Sequence, residues 1–387
     1  MKTYIIAISI SIVITIASKV VKTNYAKNVL RLTSILPLAV IAGVRDSTIG
    51  TDISNYGLAN FVAATHFNNL VSYLSYIKSL NGVEVGYSIL NFVVSRFTSS
   101  INVFFFVLNL LTILFVFLAF SEKHEEKNFL MGIAIYYLLF WDSSLNVMRQ
   151  SLAASIVLYG VVLLINRKKT KTFLLLIMLA ASFHQTAILA VTIPLFLWMS
   201  KRNSKLLNYS IFFVGGFFIY IILSPKSNLI TIAMQSVPLL GKYYSIFLQA
   251  GMQYVSTGAG MSVKTIFIRI LPMIISIIYL ALARLDDDYF IENKEFFINI
   301  MILSIAFEFV NMNSGVFARL GMYYSILQVI LYPRLINTLK LNSLKFLAAG
   351  LLILYLAGAA YIRITAGYGE IYPYTSNILE NFVWKWS

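Results

Sequence analysis

Apolar residues run in long blocks along this chain, and short polar stretches separate them. An α-helix needs roughly 20 apolar residues to cross a bilayer. The blocks predict spans near 4–21, 29–44, 102–120, 129–142, 146–166, 172–184, 187–200, 206–224, 264–284, 295–311, 316–337 and 343–363, about twelve in all. The short pair 172–184 and 187–200 reads either as a hairpin or as a broken helix. No internal repeat is visible. The pattern therefore predicts an all-α, polytopic integral membrane protein with a single transmembrane domain over 1–387. Strands are not expected, because an open sheet edge in lipid leaves backbone groups without hydrogen bonds.

Three stretches outside the spans are long: 45–101, 225–263 and the tail 364–387. Segment 55–80 mixes apolar and polar residues, and 86–97 is too short and too polar for a span. Both predict interfacial or re-entrant helices. Tyr368, Tyr372, Tyr374, Trp384 and Trp386 in the tail suit the headgroup layer.

Composition strengthens this picture. The 387 residues are 59% hydrophobic and 12% charged, with mean hydropathy +0.81, so lipid must cover much of the surface. No small-residue cleavage site follows the first apolar block, which is expected to be a retained span and not a signal peptide. Cysteine is absent, which excludes disulfides and thiolate metal sites. With three histidines, a histidine-rich metal centre is not expected, and neither a metal nor a cofactor is predicted.

The net charge of +15 suggests nucleic acid until its distribution is followed. Basic residues gather in short loops: Lys19, Lys22, Lys27 and Arg31; Arg167, Lys168, Lys169 and Lys171; Lys201, Arg202 and Lys205; Arg334, Lys340 and Lys345. With twelve spans all four groups fall on one side, which the positive-inside rule makes cytoplasmic. Both termini and the three long stretches then face outward, and no nucleic acid partner is expected.

This topology places polar residues from five distant stretches at the outer face. "GVRDSTIGTDISNYG" (43–57) supplies Arg45, Asp46, Asp52 and Tyr56, and "VEVGY" (83–87) supplies Glu84. "WDSSLNVMRQ" (141–150) adds Asp142, Asn146, Arg149 and Gln150, and "SFHQTA" (182–187) adds His184 and Gln185. "NMNSGVFARLGMYY" (311–324) adds Asn311, Asn313, Arg319, Tyr323 and Tyr324. Asn146, Arg149 and Gln150 stand at i, i+3 and i+4, which predicts one shared helix face. The small residues Ser151, Ala153, Ala154 and Ser155 that follow suit close helix packing.

Each residue also has a plainer reading. Arg149 and Arg319 can snorkel to the headgroups. Arg45 can pair with neighbouring Asp46, and Asp52 can cap a helix over 53–65. His184 can be structural, as His66 and His124 in their polar segments are read to be. "LDDDY" (285–289) looks like an acidic metal motif, but the topology makes it a solvated cytoplasmic run beside Arg284 and Lys294.

Taken together, the set suits a lipid diphosphate carrying a glycan. Arginine binds phosphate oxygens through a rigid fork and keeps its charge. Several arginines stabilise the charge that a diphosphate gains on leaving. A carboxylate or imidazole can take a proton from an incoming hydroxyl, and tyrosines and amides bind sugars.

The stretches "GVRDSTIGTDISNY" (43–56), "EVGYSIL" (84–90), "NVMRQSLAASI" (146–156), "LAASFHQTAIL" (179–189) and "FARLGMYY" (317–324) follow the order seen in EpsG-like proteins. The chain thus resembles the Wzy-type polymerases of bacterial O-antigen, capsule and exopolysaccharide, over about residues 1–330. The resemblance implies a helical fold related to the polyprenyl-dependent glycosyltransferases. It implies an enzyme of the bacterial plasma membrane that works at the extracytoplasmic face without a metal. A growing glycan would leave undecaprenyl diphosphate as a hydroxyl of a second lipid-linked repeat unit attacks its anomeric carbon. Implied partners are the undecaprenyl-diphosphate-linked oligosaccharide, membrane lipid, a flippase and a chain-length regulator.

Carried over, Arg45, Arg149 and Arg319 form a diphosphate clamp, and His184 is a base or a diphosphate donor. Asp52 and Glu84 are rival bases, and Tyr56, Tyr87, Asn146, Gln150, Tyr323 and Tyr324 line the site. The family often has isoleucine before the arginine where this chain has Met148, an apolar change without functional weight. A flippase would need polar residues through the bundle toward both faces, whereas the inner halves of these spans are plain. A glycan ligase would share the donor site and differ in acceptor. An acyltransferase would place its catalytic residues in the cytoplasm.

Overall fold

A computed structural model describes the chain except for residues 81, 123, 203, 224–261, 284, 286–287, 312–318 and 384–387. Most of the 225–263 stretch, Asn313, Trp384, Trp386 and part of "LDDDY" therefore lie outside the described residues. Every regular element among the described residues is helical.

The chain begins with α1 (Lys2–Val20), α2 (Asn24–Thr33) and α3 (Leu36–Val44). A π turn at Ile53–Gly57 leads into α4 (Leu58–His66), α5 (Leu70–Ser79) and α6 (Val85–Ser95). Then come α7 (Ile101–Ser121), α8 (Phe129–Leu139), the short α9 (Ser143–Asn146), α10 (Met148–Arg167) and α11 (Thr170–Phe183). A 3-10 segment at Gln185–Val191 precedes α12 (Thr192–Arg202) and α13 (Lys205–Leu223). α14 (Val263–Leu282) and α15 (Asp288–Val310) are followed by a 3-10 turn at Arg319–Gly321, α16 (Met322–Ser325) and α17 (Gln328–Asn337). The chain ends with α18 (Asn342–Thr365) and α19 (Asn377–Val383). It divides into two compact units, one of Met1–Ile188 with Leu341–Ser387 and one of Leu189–Lys340.

Among the described residues, six segments are long and apolar enough to cross a membrane: Lys2–Val20, Asn24–Val44, Ile101–Ser121, Met148–Arg167, Val263–Leu282 and Asn342–Thr365. They coincide with six of the predicted spans. The other blocks are also helical, but differ in length, continuity or charge. α8 and α12 have 11 residues and α11 has 14. The block at 316–337 is split into separate helical pieces, and α15 carries Asp288, Glu292, Lys294, Glu295 and Glu308. The segments expected to be interfacial or re-entrant form α4, α5 and α6, of 9, 10 and 11 residues.

In the first unit α10 is central, packed by α7 and α11, and nearly all of it is buried. Lipid tails are as apolar as leucine, so close packing and polar pairing hold such a helix more than hydrophobic burial does. Ser151, Ala153, Ala154 and Ser155 supply the small surface for it, and all are buried. α3 lies along α7, α1 meets α2, α3 and α8, and α18 packs on α8. α6 joins α4 to α11, and its Gly86 is required there: a Cβ would stand 2.7 Å from the Ser182 carbonyl oxygen.

Asp142, grouped with the candidate site residues by sequence, serves instead as a pin. Arg363 Nε donates to Asp142 Oδ2 at 2.6 Å, and its Nη2 to the Leu138 carbonyl at 3.0 Å. Both side chains are 6% exposed. In the second unit α15 is central, with α12, α13, α14 and α16 packed on it.

Candidate active site

The first unit brings four of the five motifs together. α3 stops at Arg45, whose backbone is extended. Asn102 at the start of α7 donates to the carbonyls of Gly43 at 2.7 Å and Arg45 at 3.1 Å, which sets the exit of the chain. The loop then turns at Gly50, where φ is +91° and a Cβ would lie 2.3 Å from the Leu145 carbonyl oxygen. Only glycine tolerates both conditions. Beyond it, Thr51 donates its hydroxyl proton to Asn146 Oδ1 at 2.8 Å.

Asn146 does not share a helix with Arg149 as its spacing suggested. The helix breaks at Val147, with φ −89° and ψ 61°, and restarts at Met148. The i, i+3 relation holds only within an unbroken helix, so Asn146 turns to Thr51 instead. Gln150 does lie on α10, where it is buried.

Arg149 projects from the first turn of α10. Its Nη1 forms an ion pair with Glu84 Oε2, and its guanidinium lies 4.1 Å over the Tyr56 ring and 5.8 Å from the Tyr87 ring. The Tyr56 hydroxyl donates to Asp52 Oδ2. Burial, then the Asp52 carboxylate, push that phenol well above its ordinary pKa, so it stays a donor. Asp52 therefore serves Tyr56; its side chain makes no N-cap bond to the helix that follows. Tyr87, expected to line the site, is fully buried and meets Tyr56 edge to face at 5.7 Å.

Glu84 links three elements. It precedes α6, yet its carboxylate does not cap that helix. Oε2 holds Arg149, while Oε1 accepts the Gln185 backbone N–H at 3.0 Å. The same Oε1 stands 3.7 Å from His184 Nδ1, and Thr186 Oγ1 is 3.2 Å from that nitrogen. His184 sits where α11 ends and the backbone becomes extended. The Arg149 and Glu84 side chains remain 19% and 17% exposed, so the cluster is within reach of a ligand.

Arg45 lies deeper, at 2% exposure. Nη2 is 3.2 Å from Met148 Sδ, the guanidinium lies 5.0 Å from the Phe105 ring centre, and Nε and Nη1 have no hydrogen-bond partner. Its expected partner Asp46 instead accepts the Asn377 N–H at 2.9 Å. Burial lowers the Arg45 pKa to about 10, opposed by Tyr4, Tyr374, Tyr87 and Asp52, so the group stays charged at neutral pH.

Two features escaped the sequence reading. The tail straps the site loop: the N–H of Gly50 donates to the Glu370 carbonyl at 3.0 Å and that of Asp46 to the Thr375 carbonyl at 3.2 Å. Tyr374, expected in the headgroup layer, donates to the Ile41 carbonyl at 2.9 Å. In the second unit Arg269 Nη2 pairs with Glu308 Oε1 at 2.7 Å. An arginine in "TIFIRILPM" (265–273) and a glutamate in "SIAFEFV" (304–310) are costly in a span unless paired, and that cost was the available signal.

The second unit also holds the fifth motif. Arg319 is exposed at the start of its 3-10 turn, while Tyr323 and Tyr324 are buried. Tyr324 stacks on Phe307 at 5.9 Å, and its hydroxyl meets Thr192 Oγ1 at 3.0 Å and the Leu189 carbonyl at 3.2 Å.

Fold and site define a polytopic, all-helical membrane protein with an Arg–Glu–His cluster at the ends of its helices. A model of the EpsG family matches residues 28–376, and the chain belongs to that family. Membership supports a polysaccharide polymerase, an enzyme of glycosyltransferase type. Comparisons with curated proteins and with solved structures gave no match. The family match runs beyond residue 330, where the resemblance read from the motifs stops, and takes in most of the tail strap.

Proposed function

We propose that the chain extends a polysaccharide by moving the growing glycan from undecaprenyl diphosphate to a hydroxyl of a second lipid-linked repeat unit. The site would face outward from the bacterial plasma membrane. The cluster of Arg149, Glu84 and His184 carries this reading. Arg149 offers a guanidinium held over the Tyr56 ring, with nitrogens suited to a diphosphate oxygen. Glu84 has one oxygen on a cation and the other on a backbone N–H, so we assign it to positioning rather than to proton transfer. Asp52 is engaged by Tyr56. His184 is then the base.

In this mechanism the acceptor hydroxyl oxygen bonds to the anomeric carbon. The carbon–oxygen bond to the diphosphate breaks, and its electron pair leaves with the diphosphate. The hydroxyl proton passes to the His184 imidazole, and the nearby Glu84 carboxylate stabilises the imidazolium. Arg149 stabilises the charge growing on the leaving group. Arg45 is too buried for direct contact and acts as a fixed background charge. Residues 103–120 and 150–166 carry no charged side chain, which favours an enzyme working at one face over a flippase.

The test incubates purified protein with a lipid-diphosphate repeat unit and reads the glycan ladder on a gel. Arg149→Ala is expected to slow ladder formation about 10²-fold or more, the scale for losing one group that stabilises developing charge. Arg149→Lys should not rescue it, since an ammonium neither forks nor stacks as a guanidinium does. His184→Ala should fail as well, and Arg319→Ala tests the role that the resemblance gives that residue. Full ladder formation by both Arg149 variants would remove the diphosphate role.

A further inference from the structure

The first unit has a second charged site at the opposite end of α7. That helix has 21 residues and is about 30 Å long. Asn102 at its start holds Arg45, whereas Ser121 at its end borders a groove formed with the end of α1, with α2 and with the α7–α8 connection. The groove comprises two hollows of about 640 and 660 Å³ that share Asn24, Lys27, Arg31 and Glu126. Lys19, Lys22 and Lys127 line the second hollow, so five cations face one carboxylate.

Nearby acids do not cancel this excess. Glu122 is paired with Arg167 at 2.6 Å; Glu125 is buried and accepts from Asn128 at 2.9 Å and Asn166 at 3.2 Å, and with Glu126 it still leaves the five cations in excess. Arg31 makes this a built site rather than a loose basic patch. It is 6% exposed and lies 4.5 Å over the Phe129 ring; Nη1 reaches Glu126 at 3.3 Å, while buried Nε has no hydrogen-bond partner. The wall beside these cations is apolar: Val29 and Leu32 are exposed on α2, and Phe117 lines the same hollow. A fixed guanidinium and several ammoniums beside an apolar wall match a phosphate attached to hydrocarbon.

We propose that this groove binds the phosphate of an anionic phospholipid headgroup, with acyl chain along Val29, Leu32 and Phe117. The site is independent of the proposed catalytic reading. Basic pockets at helix ends hold anionic headgroups through the same charge pairing.

Native mass spectrometry of the purified protein, supplied with equimolar phosphatidylglycerol and phosphatidylcholine, tests it. Phosphatidylglycerol should be retained preferentially. Lys22→Gln with Lys127→Gln should weaken that retention about 25-fold, at about fivefold for each cation removed near a lipid surface. Both lysines are exposed, so the fold should tolerate the change. Lys201→Gln with Lys205→Gln, an equal loss of charge elsewhere, should leave retention unchanged. Equal retention of the two lipids, or unaltered retention by the Lys22/Lys127 variant, would overturn the proposal. Displacement of the lipid by inorganic phosphate alone would overturn it too, in favour of a soluble phosphate ligand.

Discussion

Arg149 could have been a snorkelling residue, and its neighbours decide otherwise. A snorkelling arginine keeps its head among lipid phosphates. Here Glu84 and the Tyr56 ring hold the guanidinium, and four-fifths of the side chain is covered. The spacing of 84, 149 and 184 in sequence says nothing of this contact. Because Glu84 serves both Arg149 and His184, the three should act as one unit. Glu84→Gln is expected to lose ladder formation as Arg149→Ala does, and the double variant should be no worse than either single one. An additive loss would show that the two residues work separately. The thermal cost of Glu84→Gln should be modest, about 2 kcal/mol or less, since the lost bond is charged but partly solvated.

At the scale of elements, hydropathy located the helices but not their ends. Each apolar block is helical where described, yet six segments among the described residues reach spanning length with the right composition. The break at Val147 shows the difference: Asn146, Arg149 and Gln150 have the spacing of one helix face, yet the backbone turns between them, where Gly50 meets the Leu145 carbonyl. Elements are also pinned by charge. Breaking a buried ion pair by removing one partner costs about 3–5 kcal/mol, while replacing both with apolar groups is often near neutral. Asp142→Ala and Arg363→Ala should therefore each lower the unfolding temperature in detergent markedly. Asp142→Leu with Arg363→Met should lower it less than either. Equal loss in all three would mean that packing, and not charge, joins α18 to the start of α9.

The first unit as a whole has two polar ends joined by plain helices. The candidate active site lies at one end of α7, and the basic groove at the other. The positive-inside rule predicts that the groove end is cytoplasmic. Because the chain has no cysteine, single introduced thiols read this directly. Ser99→Cys, in the exposed turn before α7, should react with an impermeant maleimide in intact cells. Lys127→Cys should react only after the membrane is opened. The opposite pattern would invert the topology and move the proposed reaction to the cytoplasmic side.

Pattern and composition by themselves determined an all-helical membrane protein, and the five ordered motifs pointed to the EpsG family. Hydropathy and motif order are properties of a single dimension, so a sequence carries them whole. Only the tertiary structure decided that Glu84 joins Arg149 to His184, that Asp142 is a pin, and that the tail braces the loop at Gly50. Those contacts arise where α11 packs on α6 and α10, where α18 packs on α8, and where the tail crosses the loop at Gly50. Their partners lie 65 to 320 residues apart, beyond the reach of any local pattern.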